Sequence, residues 1–138
     1  MSITIPASHQ DLVEGPVVVV LATLMPNGQP HTAVVWRLFD GTHLLICTGR
    51  NRQKSQNMKA HPLVSILTLD PKNPGRYLEI RGRVEEITEA GAIPILDKMA
   101  QLYTGHPKYY GYLEPAEEEG QYPLLIFKIK PTRVVAVG

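Results

Sequence analysis

The side chains best suited to chemistry stand together in TGRNRQKSQN, Thr48 to Asn57, where Arg50, Arg52 and Lys54 recur at every second position. The nearest acids along the chain are Asp40 before this stretch and Asp70 after it. Two like charges 4 Å apart repel by about 1 kcal/mol in water and by more where water is excluded. A helix N-terminus favours acids over bases, yet Asn51 reads as the cap of a short helix running toward Ala60 and ended by His61-Pro62. Unpaired N–H groups of a first turn, joined by Arg and Lys, make a seat for phosphate or another anion. Arginine grips a phosphate with two parallel hydrogen bonds, and lysine adds a point charge. Thr48 and Ser55 offer hydroxyls and Asn57 an amide. The competing reading is a solvated helix with splayed cations. Met58 and Ala60 give that helix little apolar face, so packing alone does not account for its sequence.

An anion site here has to be local. The chain has 138 residues and a net charge of +1, with 43% hydrophobic and 20% charged residues, which fits one folded domain and not a basic coat for bulk nucleic-acid binding. The single cysteine, Cys47, excludes an intrachain disulfide, fits a reducing compartment and reads as a small buried apolar residue. Met1–Gln10 lacks a basic segment followed by an apolar one, and Pro16–Leu24 is too short to span a bilayer, so a soluble cytoplasmic protein is expected. His9, His31, His43, His61 and His106 are scattered, and no metal site is expected. There is no P-loop, dinucleotide fingerprint or nucleophile elbow.

The elements that must hold the basic stretch are mostly strands. Gly15–Leu24 is continuous and β-branched and predicts a strand buried on both faces. A turn centred on Asn27-Gly28 leads to a returning strand, His31–Phe39, and Asp40-Gly41 turns into Thr42–Thr48. Leu63–Leu69 and Arg76–Ile87 follow. In the latter Leu78, Ile80, Gly82 and Val84 face one way, and Gly82 predicts a bulge, a bend or a close backbone approach. Glu79, Arg81, Arg83 and Glu85 on the other face predict cross-strand ion pairs. Ala92, Ile95, Leu96, Met99 and Tyr103 form a helical stripe whose regular part starts near Ile93, because Pro94 fits only a first turn. A long loop, Gly105–Pro123, carries tyrosines and acids; Tyr109, Tyr110 and Tyr112, with Tyr103, are candidates for a pocket wall or a dimer contact. A last strand follows, with a break at Pro131 possible. About six strands with two or three short helices predict a mainly β (α+β) fold, a small antiparallel barrel closed or nearly closed.

LATLMPNGQPHTAVVW, TGRNRQKSQNMKAHPLVSILTLDP and YLEIRGRVEEI, in this order, resemble the pyridoxamine 5′-phosphate oxidase-like superfamily, and within it the small split-barrel reductases that use the deazaflavin coenzyme F-420. The resemblance runs from about Ile5 to the last strand. It implies a six-stranded split β-barrel acting as a homodimer, with FMN or coenzyme F-420 at the subunit interface. By position, Arg52 and Lys54 would hold the cofactor phosphate, with Arg50 a further candidate and Thr48 beside the ribityl phosphate. Val34, Val35 and Trp36 match the strand whose backbone runs along the ring. Asn57 matches the pattern either as a ligand contact or as a residue that orders the basic helix. The longer anionic tail of the deazaflavin would need further cations, for which Arg37, Lys59, Lys72 and Arg76 are available.

The implied activity is hydride transfer between that cofactor and a small unsaturated substrate, with no acid or base strictly required of the protein. The alternatives are a non-catalytic cofactor carrier of the same fold and a small barrel that binds single-stranded nucleic acid. Local confinement of the free cations argues against the second. Neither a nucleic-acid nor a membrane partner is expected.

Overall fold

A computed structural model describes residues 3–138; Met1 and Ser2 of the N-terminal stretch lie outside it. The strands are β1 (Val19–Leu24), β2 (Pro30–Val35), β3 (Leu38–Phe39), β4 (Leu44–Gly49), β5 (Leu63–Asp70), β6 (Asn73–Thr88) and β7 (Leu124–Val137). The helices are α1 (Asp11–Glu14), α2 (Gln53–Ala60) and α3 (Ala92–Thr104). All seven strands belong to one sheet of order β2-β1-β5-β6-β7-β4-β3, and each pair is antiparallel.

Seven strands appear instead of six because the expected strand His31–Phe39 is cut at Trp36-Arg37. The cut makes the barrel split. β2 and β3 are the two ends of the sheet, yet only Trp36 and Arg37 separate them in the chain. Three peptide steps reach roughly 11 Å at most, so the sheet has to curl until its ends meet without a ladder between them. Full closure, which would have removed both edges, does not occur. Arg37 fills the seam with 0% exposure. Its Nη2 donates to the carbonyls of Leu12 (3.2 Å) and Gly15 (2.5 Å), at the end of α1. The Tyr103 hydroxyl accepts from Arg37 N–H at 3.1 Å and reaches the carbonyls of Val17 (3.0 Å) and Arg37 (3.1 Å).

Inside the curl lie Leu12, Leu21, Ile46, Ile66, Ile80 and Phe127, all at most 1% exposed. The face of β6 follows the expected alternation: Leu78, Ile80, Gly82 and Val84 are buried. At Gly82 a Cβ would stand 2.6 Å from Ile129 Cγ2 and 3.0 Å from the Lys130 carbonyl. The ladder also slips here, pairing Gly82 with Pro131 but Arg81 with Arg133, so β7 passes through Pro131 by a bulge and does not break. α3 packs its Ala92 and Ile95 on the outer face of β4 and β7, where Leu45, Cys47, Leu124 and Ile126 form a second cluster.

Two further expectations need correction. β1 starts at Val19, and its Val20, Ala22 and Leu24 are only half-buried, so the run is covered on one face within a single chain. Arg81 pairs with Glu79 of its own strand at 3.0 Å, not across strands; Glu85 meets His43 (2.7 Å), and Glu86 meets Lys128 (3.1 Å) across β6 and β7.

Candidate functional site

β4 delivers the basic stretch. It ends at Gly49, the chain turns through 50–52, and α2 begins at Gln53 with Arg52, not Asn51, in the capping position. Among the described residues no side chain caps this helix. The N–H groups of Gln53 and Lys54 have no acceptor among the described residues, so they remain donors. Ser55 is spent internally, its Oγ donating to the Gly49 carbonyl at 2.6 Å.

Polar anchoring replaces a missing apolar face on α2. Besides Met58, its buried residues are Ser55 and Asn57. Asn57 Nδ2 donates to Thr23 Oγ1 of β1 at 3.0 Å, while its Oδ1 accepts from Gln53 Nε2 at 2.8 Å. Asn57 therefore ties the basic helix to the sheet and does not line the adjoining cavity.

That cavity measures about 650 Å³. One wall is 47–52, with Thr48, Arg50 and Arg52. Leu96 of α3 closes one side, and the long loop supplies Tyr109, Tyr110 and Tyr122 with Glu114 and Glu118. The loop is fastened to the basic turn, since Arg50 N–H donates to the Pro123 carbonyl at 2.9 Å. The cations divide by environment. Arg50 reaches Glu89 Oε1 at 2.5 Å, so the expectation that the whole stretch lacks a carboxylate fails there; the partner comes from 39 residues further along the chain. Arg52 and Lys54 make no ion pair among the described residues. Burial, and then the charge of Arg52, lower the pKa of Lys54. Burial pushes the Cys47 thiol up to about 11, so it is a poor nucleophile.

Trp36 reaches this site indirectly. Its ring stacks on Tyr103 (centroids 5.0 Å apart, planes at 5°) and meets Tyr109 edge-on at 6.3 Å. Val34 and Val35 do not line the cavity; they sit on edge strand β2, Val34 outward and 69% exposed, Val35 against the core. Arg37 and Arg76 are not free cations. Arg37 is sealed in the seam, and Arg76 is held by Asp11 (2.6 Å) and Asp70 (3.1 Å). Tyr112 stacks on His106 and does not line the cavity.

The family model for pyridoxamine 5′-phosphate oxidase matches residues 5–138. The chain belongs to that family. Among solved structures, an F-420 reductase is 33% identical, the likeness covering 95% of this chain and 98% of that one at a TM-score of 0.81. A conserved hypothetical protein from Mycobacterium tuberculosis is 24% identical over 99% of this chain and 86% of its own, with a TM-score of 0.76. The heme storage protein HutZ from Vibrio cholerae is 13% identical over 99% of this chain and 96% of its own, with a TM-score of 0.71. The last two share the fold alone. No curated protein matches.

Within this pyridoxamine 5′-phosphate oxidase-family split barrel, Glu114, Glu118 and Tyr122 are cavity residues that the sequence did not single out. The one available signal was the interleaving of tyrosines with acids in 105–123. No helix among the described residues is long and apolar enough to cross a membrane.

Proposed function

We propose that this chain is an FMN- or coenzyme F-420-dependent oxidoreductase that passes a hydride between the bound cofactor and a small unsaturated substrate. The carrying observation is the donor set after β4: Arg52 with Lys54 close enough to feel its charge, and two unpaired N–H groups of an eight-residue helix, with Thr48 and Arg52, but not Lys54, lining the adjoining cavity. Such a set fits the phosphoryl group that both cofactors carry, which would relieve the repulsion between Arg52 and Lys54 and satisfy the free donors. The F-420 reductase, similar over nearly its whole length, supports the same reading.

The cofactor, when bound, supplies the redox chemistry. The protein's own part is to bind and orient. Arg52 and Lys54 take the phosphate, and Thr48 adds a donor. β2 is an edge strand, so alternate backbone groups near Val34, Val35 and Trp36 are free to meet the polar edge of a ring. The Trp36–Tyr103 stack fixes the end of that strand. Arg50 is assigned to Glu89 and is not needed for the phosphate.

The reading includes a homodimer. α3 covers the outer sheet face only at the β4–β7 end. At the other end one row of side chains crosses Val34, Val20, Leu67, Glu79 and Val135, with Val18, Leu69 and Val137 exposed beside it. A second copy would cover this face.

The test is a titration of FMN and of coenzyme F-420, separately, followed by visible absorbance and flavin emission. Arg52→Ala and Lys54→Ala should each weaken binding about 10- to 100-fold, the usual size of a charge-assisted phosphate contact, with circular dichroism unchanged. Unaltered affinity in the double variant would remove the assignment.

A further inference from the structure

The lining of the cavity carries both signs of charge. Arg52 lines it from the basic turn without an ion pair, while Glu114 and Glu118 line it from the long loop, also without one among the described residues. Aromatic rings line it with the carboxylates: Tyr109 and Tyr110 meet at 88° with centroids 5.2 Å apart, and Tyr122 adds a third ring. Tyr110, only 8% exposed, is the most deeply set of these tyrosines. The loop is built to hold this shape: Tyr109 N–H donates to Asp97 Oδ1 at 2.9 Å and Gly111 N–H to the Glu114 carbonyl at 2.6 Å.

We infer that the tyrosine and carboxylate half of the cavity binds a planar organic cation, and that the substrate reduced here belongs to the iminium or pyridinium class. Aromatic faces and carboxylates attract a delocalised cation together. An enone would fit this half poorly, because hydride addition builds negative charge on its oxygen beside Glu114 and Glu118. An iminium ion goes the other way. Hydride from a reduced flavin or deazaflavin forms a C–H bond at the C=N carbon, the π pair moves onto nitrogen, and the cofactor is oxidised by two electrons. The substrate's positive charge disappears, and a neutral amine leaves the carboxylates more readily. Burial, then Glu114 and Glu118, raise the Tyr109 pKa, so its ring stays an uncharged phenol. The substrate class rests on the proposed redox function, but the cation site can be tested apart from it.

Calorimetric titration of the full chain, with and without FMN, would compare N-methylquinolinium with quinoline, which is uncharged at neutral pH. The cation should bind at least about tenfold tighter, and the double variant Glu114→Gln, Glu118→Gln should erase most of that margin while leaving FMN affinity in place. Trp36 emission should respond to the cation, since Tyr109 stands edge-on to it. Tyr110→Phe should weaken the cation less than the double variant does. Equal affinity for the two probes in a protein that still binds FMN would overturn the cation site and leave the cofactor reading standing. Cation binding that survives in a protein unable to bind either cofactor would do the reverse, leaving a cation site without the reductase.

Discussion

Among the described residues Arg37 has no carboxylate to answer its charge, and its Nε and Nη1 have no hydrogen-bond partner. Burial lowers its pKa, with Tyr103 opposing. What keeps it inside is geometry: it donates to the carbonyls at the end of α1, and its guanidinium lies 5.8 Å from the Tyr103 ring centroid. Tyr103 is the hinge pin of this arrangement, because one hydroxyl serves the backbone of both Val17 and Arg37. Tyr103→Phe keeps the stack on Trp36 and deletes those bonds, leaving the Arg37 N–H short of an acceptor. It should cost about 1–3 kcal/mol of stability, read as a lower urea midpoint with an unchanged slope. A midpoint equal to the parent's would mean that the phenol does not hold the seam. In the sequence Tyr103 appears only as the last member of an apolar helical stripe. Its partners lie 66 and 86 residues away, and no local pattern carries that information.

At the scale of elements, α2 shows how a helix can be positioned by polar groups. Its existence and its end at His61-Pro62 were legible from the chain, as was its thin apolar face. The substitute for that face was not legible, because Asn57 finds Thr23 across 34 residues of sequence. Asn57→Leu should release α2 from β1 without touching the cavity wall. Amide exchange across 53–60 should then speed up, and FMN affinity should fall about tenfold through misplacement of Arg52 and Lys54 alone. Fast exchange with undiminished affinity would show that the phosphate seat does not depend on the helix being fixed. The same distinction separates the other elements. Alternation in β6, the pinch at Gly82 and the start of α3 follow from periods of two and 3.6 and from proline chemistry, which are local. The break between β2 and β3, the Glu89 partner of Arg50 and the loop acids that share a cavity with Arg52 come from tertiary folding, which brings distant residues together.

For the whole molecule the question is what covers the second face of β1. Its β-branched run reads as doubly buried, yet in one chain Val18 is half-exposed and Val34 largely so. α3 does not cover both ends of the sheet, since the strands it packs on are β4 and β7. A second copy laid against β1, β5, β6 and the end of β7 would restore the burial that the sequence implies. It would also stand against edge strand β2, where the cofactor ring is proposed to lie. Two consequences follow from that single placement. Leu69→Glu with Val137→Glu, both on the open face and outside the cavity, should convert a dimer into a monomer in sedimentation, because each adds a charge that cannot be paired across an apolar contact. Cofactor affinity should fall in the same variant although Arg52 and Lys54 are intact, and in the parent protein it should weaken on dilution through the dimer's dissociation range. A variant that remains dimeric would move the interface elsewhere. A monomer that binds FMN as tightly as the dimer would instead confine the cofactor site to one chain, with the ring held by β2 and the tyrosine loop alone.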